Sequence, residues 1–164
     1  MALIDTRAVR DAEQLDWPRM ERWLRAELPA SHIPGLDLTH PMRVEQFPGG
    51  HSNLTYLIRF GEVELVVRRP PLGPVAPTAH DMAREFRWLS AVHPVFPLAP
   101  RAHALCEDPA VVGSVFYVME RRRGVVVRHE EPPALQNPAI RRRVGARWST
   151  PLQIFMASMS RKLA

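Results

Sequence analysis

A chain of 164 residues is long enough for one domain with a real core, since chains of this size bury roughly 70% of the surface that their unfolded form exposes. Hydrophobic residues at 46% against 24% charged exclude wholesale disorder, and no stretch approaches the roughly 20 apolar residues of a membrane span. A net charge of +5 and an isoelectric point of about 10.5 leave nucleic acid, membrane or nucleotide open as an anionic partner.

In chain order, Asp16 can cap a helix with Pro18 in its first turn. Trp17, Met20, Leu24 and Leu28 then recur at near-helical spacing until Pro29. After a Pro/Gly connector, Met42 to Phe47 reads as a strand, and Pro48, Gly49 and Gly50 as a tight turn. Leu54 to Phe60 is a second strand. Gly61 and Glu62 turn it into a third, Val63 to Val67, a β-branched run ending at Arg68, Arg69 and a double proline. Thr78 can cap a helix from about Ala79 to Val92, with Met82, Phe86, Trp88 and Leu89 as the apolar face and Arg84, Glu85 and Arg87 as the polar one. Two more strands follow, Ala102 to Cys106 and Val115 to Met119, separated by turns at Glu107-Asp108-Pro109 and Gly113-Ser114.

The arginines form two runs, Arg121 to Arg123 and Arg141 to Arg143. Nucleic-acid surfaces interleave such residues with aromatics, so each run reads as a solvated face. A single cysteine, Cys106, permits no internal disulfide and sits in an apolar run. With no apolar leader at an N-terminus carrying Asp5, Arg7 and Asp11, a reducing, cytoplasmic setting is expected.

Strand, strand, strand, helix, strand, strand is a common enough order; the residues at the joints are more specific. Phe47 to Tyr56 reads F-P-G-G-H-S-N-L-T-Y, Val66 to Pro71 reads V-V-R-R-P-P, His80 to Phe86 reads H-D-M-A-R-E-F, and Phe116 to Glu120 reads F-Y-V-M-E. Over roughly Met42 to Ala146 the chain resembles the aminoglycoside phosphotransferase family, in particular the branch related to the kinase domain fused to some acyl-CoA dehydrogenases. The resemblance implies an α+β fold: the N-terminal lobe of a protein-kinase-like fold, a five-stranded antiparallel sheet with one inserted helix and an N-terminal helix. It divides the chain into a helix and connector (1–41), a nucleotide-binding lobe (42–123), a linker with the start of a second lobe (124–146) and a tail (147–164).

Gly49 and Gly50 let backbone approach a ligand because they lack a Cβ, and His51, Ser52 and Asn53 offer donors to phosphate oxygens. The bare G-G-x-S-N pattern also fits an ordinary hairpin turn. Phosphoryl transfer needs a third-strand cation on the phosphates, held by a helix carboxylate. Arg68 and Glu85 stand at those positions, with arginine where kinases carry lysine. Strand alternation lets only one of Arg68 and Arg69 face the cleft, and Arg68 is the choice. By resemblance Met119 would line the adenine pocket, and the backbone of Glu120, Arg121 and Arg122 would read the base edge. ATP or GTP with Mg²⁺ is the implied cofactor set, with a small-molecule hydroxyl as acceptor.

The family places its catalytic Asp and its magnesium ligand in the second lobe. No His in this chain has Asp two residues on, so no catalytic residue is assigned and turnover by the chain alone is not expected. Asn137 to Val144 resembles the start of the family's first second-lobe helix, whereas Arg147 to Ala164 does not. Reading the implied codons one frame over, Met156-Ala157 forces Gly, Phe155-Met156 permits His or Tyr, and Gln153-Ile154 permits Asn or Asp. The pattern admits L-V-D-T-F-A-D-L-H-G-I-D-V, close to the family's L-A-x-L-H-x-V-D helix. The expectation is a frameshift near Ala146 and an out-of-frame tail. A small basic protein binding nucleic acid or another anion is the competing reading.

Overall fold

The computed structural model describes residues 5–48, 53–73, 80–124 and 133–146. Helix α1 spans Trp17–Glu27 and is followed by a 3-10 turn, Leu28–Ser31, that contains Pro29. Strands β1 (Met42–Gln46), β2 (Leu54–Phe60) and β3 (Val63–Arg69) come next, then helix α2 (Met82–Val92) and strands β4 (Ala102–Cys106) and β5 (Phe116–Glu120). A third helix, α3, covers 138–146. The strands form one sheet in the order β1-β2-β3-β5-β4, antiparallel throughout. The α+β architecture and the helix inserted after the third strand are those expected. Residues 147–164, where the frameshifted tail was expected, lie outside the described residues.

Alternation along the strands gives the sheet two unlike faces. On one, Tyr56, Ile58, Phe60, Leu65, Val67, Phe116 and Val118 pack against Met20, Leu24 and Leu28. The α1 helix forms because Asp16 accepts a hydrogen bond from the Arg19 amide at 2.9 Å and because its apolar residues share one stripe. Edge-on aromatic contacts between Trp17 and Tyr56 and between Trp23 and Phe116 fix its position. Burial pushes the Tyr56 phenol up to about 12. Cys106 belongs to this core, and burial raises its thiol above the ordinary value.

The other face carries α2 against β4 and β5, with Phe86 edge-on to Tyr117 at 6.3 Å. This helix starts later than the spacing predicted. His80 has φ of 66°, in a left-handed region that a right-handed helix cannot contain. The cap is therefore Asp81, whose side chain accepts from the Arg84 amide at 2.8 Å; Thr78 and Ala79 lie outside the described residues. Trp88, expected on the apolar face, is 55% exposed. Elsewhere the strand ends move by a residue or two: β1 stops at Gln46, β3 continues through Arg68 and Arg69, and β5 is Phe116–Glu120. At the β2–β3 turn Gly61 has φ of 57°, a left-handed conformation that favours glycine, and a Cβ there would come within 3.3 Å of the His40 ring.

One arrangement was not visible in the sequence. Arg7 and Gln46 exchange backbone hydrogen bonds of 2.9 and 2.7 Å, which lays the N-terminal segment alongside β1. Among the described residues no helix is long and apolar enough to cross a membrane.

Candidate functional site

Adjacent strands β3 and β5 place Arg68 directly opposite Tyr117, and Glu85 projects from the first turn of α2 towards both. Arg68 Nε lies 3.0 Å from Glu85 Oε2. That buried Nε has no aligned hydrogen bond, so the contact is an off-axis ion pair. Each side chain of the pair is one-third exposed, which keeps its contribution to stability small and makes orientation its main effect. The same Oε2 accepts a hydrogen bond from Tyr117 Oη at 3.1 Å. Burial, reinforced by the adjacent Glu85 charge, raises the Tyr117 phenol well above its ordinary range, keeping it a neutral donor.

The second oxygen of Glu85, Oε1, accepts from Asn53 Nδ2 at 3.2 Å, and Asn53 Oδ1 lies 2.6 Å from His80 Nδ1. Asn53 is only 5% exposed, so its carboxamide is engaged inside the lobe. Arg69 points to the opposite face. It is 4% exposed, donates to the Val112 carbonyl at 3.1 Å, and burial lowers its pKa. Beside the Arg68–Glu85 pair opens a 440 Å³ cavity lined by both residues together with Trp88, Leu89, Tyr117 and Met119. One wall is apolar and aromatic, the other carries the guanidinium.

Beyond this cavity the sheet face is charged. Glu64 is engaged by Arg59 at 3.0 Å, Arg121 at 2.6 Å and Arg123 at 2.9 Å. Arg121 also pairs with Asp5 at 2.7 Å and lies over the Phe47 ring. Burial opposes ionisation of Glu64, but hydrogen bonds from Arg59 and Arg123 and the Arg121 charge outweigh it and hold the carboxyl below its usual value. Glu120 donates its backbone N–H to the Arg101 carbonyl at 2.8 Å, and its side chain pairs with Arg122 at 3.0 Å.

Of the residues singled out from the sequence, the structure thus brings Asn53, Arg68, Glu85 and Met119 around one corner of the sheet. The side chains of Glu120 and Arg121 are engaged in other ion pairs. Gly49, Gly50, His51 and Ser52 lie outside the described residues. Two participants went unassigned in the sequence, Tyr117 and His80. Period-2 alternation put Tyr117 on the same face as Met119, and that was the available signal. Among the described residues no group of three His, Cys, Asp or Glu side chains could hold a metal ion. Glu85, the carboxylate of the cavity, is already shared by Arg68, Tyr117 and Asn53, so the described residues do not fit a magnesium site.

Comparison with known proteins gives the family. Residues 43–148 match the family model described as "Phosphotransferase enzyme family". The chain belongs to that family. It is 35% identical over 132 residues to mouse acyl-CoA dehydrogenase family member 10, covering 80% of this chain and 12% of that protein. It is 31% identical over 138 residues to human acyl-CoA dehydrogenase family member 11, covering 84% of this chain and 17% of the relative. A crystal structure from Ralstonia eutropha, assigned to the aminoglycoside phosphotransferases, matches with 30% identity and a TM-score of 0.55 over 70% of this chain and 30% of its own. The fold is the family's kinase-like one, and the chain spans under a third of each of these relatives.

Proposed function

We propose that this phosphotransferase-family chain is the nucleotide-binding lobe of a small-molecule kinase, holding the triphosphate of ATP or GTP for transfer of the γ-phosphoryl group to a hydroxyl. The observation that carries the reading is the Arg68–Glu85 pair at the edge of the 440 Å³ cavity. A guanidinium is permanently charged and presents paired donors that match phosphate oxygens. Glu85 restrains it, Tyr117 restrains Glu85, and the apolar wall at Met119 and Leu89 suits a purine ring. By the resemblance, Gly49 and Gly50 with the donors of His51 and Ser52 would complete the phosphate cradle. Asn53, by contrast, works inside the lobe, holding Glu85 through its carboxamide.

The acceptor belongs to the part of the relatives that this chain does not span. Because the relatives include acyl-CoA dehydrogenase family members, a hydroxylated acyl-type acceptor suits it better than an aminoglycoside. Phosphoryl transfer rests on positioning and electrostatic clamping from both lobes, so the chain alone binds without turning over.

Titration with a fluorescent ATP analogue tests the reading. Arg68→Met should weaken binding roughly 10- to 100-fold, the range expected for losing a charge-assisted contact, while the melting temperature stays close to that of the parent. Absence of binding by the parent chain, or equal binding by Arg68→Met, overturns it.

A further inference from the structure

One group in the polar corner, His80, has no part in the proposed chemistry, and it acts on Glu85 from behind through Asn53. His80 adopts φ of 66°, which a non-glycine residue keeps only where its surroundings hold it. Its Nδ1 is 2.6 Å from Asn53 Oδ1. A carboxamide oxygen only accepts, so Nδ1 carries the hydrogen. Asn53 then turns Nδ2 to Glu85 Oε1 at 3.2 Å, the one orientation in which a carboxylate meets a donor. Donation runs in a single direction, from His80 to Asn53 to Glu85, while Tyr117 donates to the other oxygen. With both oxygens engaged, the carboxylate has one orientation, and Arg68 is aimed by it.

The relay also joins two separate segments of the chain. Asn53 leads directly into β2, and His80 directly precedes the Asp81 cap of α2. Fastening one to the other ties the start of β2 to the start of the helix that carries Glu85.

We infer that His80 is a positioning residue for triphosphate binding, acting through Asn53 and Glu85 to aim Arg68. The inference rests on the nucleotide reading above. It assigns His80 no contact with the ligand. It predicts that the phosphates, and not the base, sense its loss.

Three variants separate the hydrogen bond from the backbone. His80→Gly removes the donor and relieves the left-handed backbone. His80→Asn keeps an N–H donor of similar reach on a residue that tolerates that backbone. His80→Ala loses the donor and strains the backbone. The readouts are the affinity of the 164-residue chain for a fluorescent ATP analogue, competition by adenosine, and the melting temperature. His80→Gly should weaken the ATP analogue about 5- to 20-fold, in line with one lost hydrogen bond. Adenosine affinity should be unchanged, and His80→Asn should stay within about twofold of the parent. Parental affinity in His80→Gly, an equal loss for adenosine, or a loss in His80→Asn as large as in His80→Gly each overturns the inference. If Arg68→Met loses the analogue while His80→Gly keeps it, the inference alone falls. If the parent chain binds no analogue, the nucleotide reading falls and takes the inference with it.

Discussion

The two faces of the sheet do different work with the same strands. Facing α1, alternate residues of β2, β3 and β5 are apolar and buried, and helix and sheet are held by area removed from water. Facing α2, Leu57 and Val66 are buried too and Phe86 meets the Tyr117 ring, but the intervening residues also include Arg68 and Tyr117, whose polar contacts with the helix run through Glu85. Apolar burial tolerates small displacements because it has no direction. Hydrogen bonds do not, since they weaken steeply with misalignment. The first face therefore supplies rigidity, and the second fixes the Glu85 carboxylate, whose charge draws the Arg68 guanidinium into an ion pair.

If this division is right, substitutions on the two faces should separate stability from binding. The largest effect is expected at Leu24, fully buried in the core. Leu24→Ala should cost about 2–5 kcal/mol, read as a lower denaturant midpoint with loss of cooperative folding. Helix caps come next. Asp16→Ala and Asp81→Ala should each cost roughly 1 kcal/mol, but only the second, on the α2 face, should also reduce affinity for an ATP analogue in direct titration. Tyr117→Phe removes one of the hydrogen bonds that hold Glu85. It should lower ATP-analogue affinity by about 3- to 10-fold with a smaller change in melting temperature, and a large drop in melting temperature with unchanged affinity would break the comparison.

Acid should reveal the charged half of the second face. Glu64 is held below its ordinary value, so its stabilising contribution is fully present above pH 4.5 and is lost as pH falls through the lower folded-state value. Glu64→Gln should flatten that part of the stability profile. His103 responds at milder pH. Its Nδ1 is buried without a partner, and burial, with the nearby Arg101 charge, lowers its pKa from 6.5. The unfolded chain thus takes up the proton first, and stability should decline modestly as pH drops below 6.5, a decline that His103→Leu removes. Unfolding scans from about pH 8 to about pH 2 on the parent and both variants measure the two effects.

Much of the fold was legible because its cues are local. The Asp16 cap, the Gly61-Glu62 turn and the alternation of β2 each act within a few residues. Alternation allowed only one of Arg68 and Arg69 to face α2 without saying which, and β3 turns Arg69 to Val112 on the other side. The start of α2 was misread for an equally local reason. Thr78 looks like a cap in sequence, but the left-handed backbone at His80 breaks the helix before it begins, and no side-chain pattern announces that angle.

The amino-acid sequence by itself determined the succession of elements, which depends on periodicity and turn chemistry within short windows. The resemblance carried by its motif residues implied the family and the pairing of a third-strand arginine with a helix carboxylate. Only the tertiary structure decided what surrounds Glu85. Asn53 and Tyr117 each lie 32 positions away from it, and Asp5 lies 116 positions from Arg121. Contacts across such separations are set by strand order, register and the seating of α2 on the sheet, which no local pattern encodes.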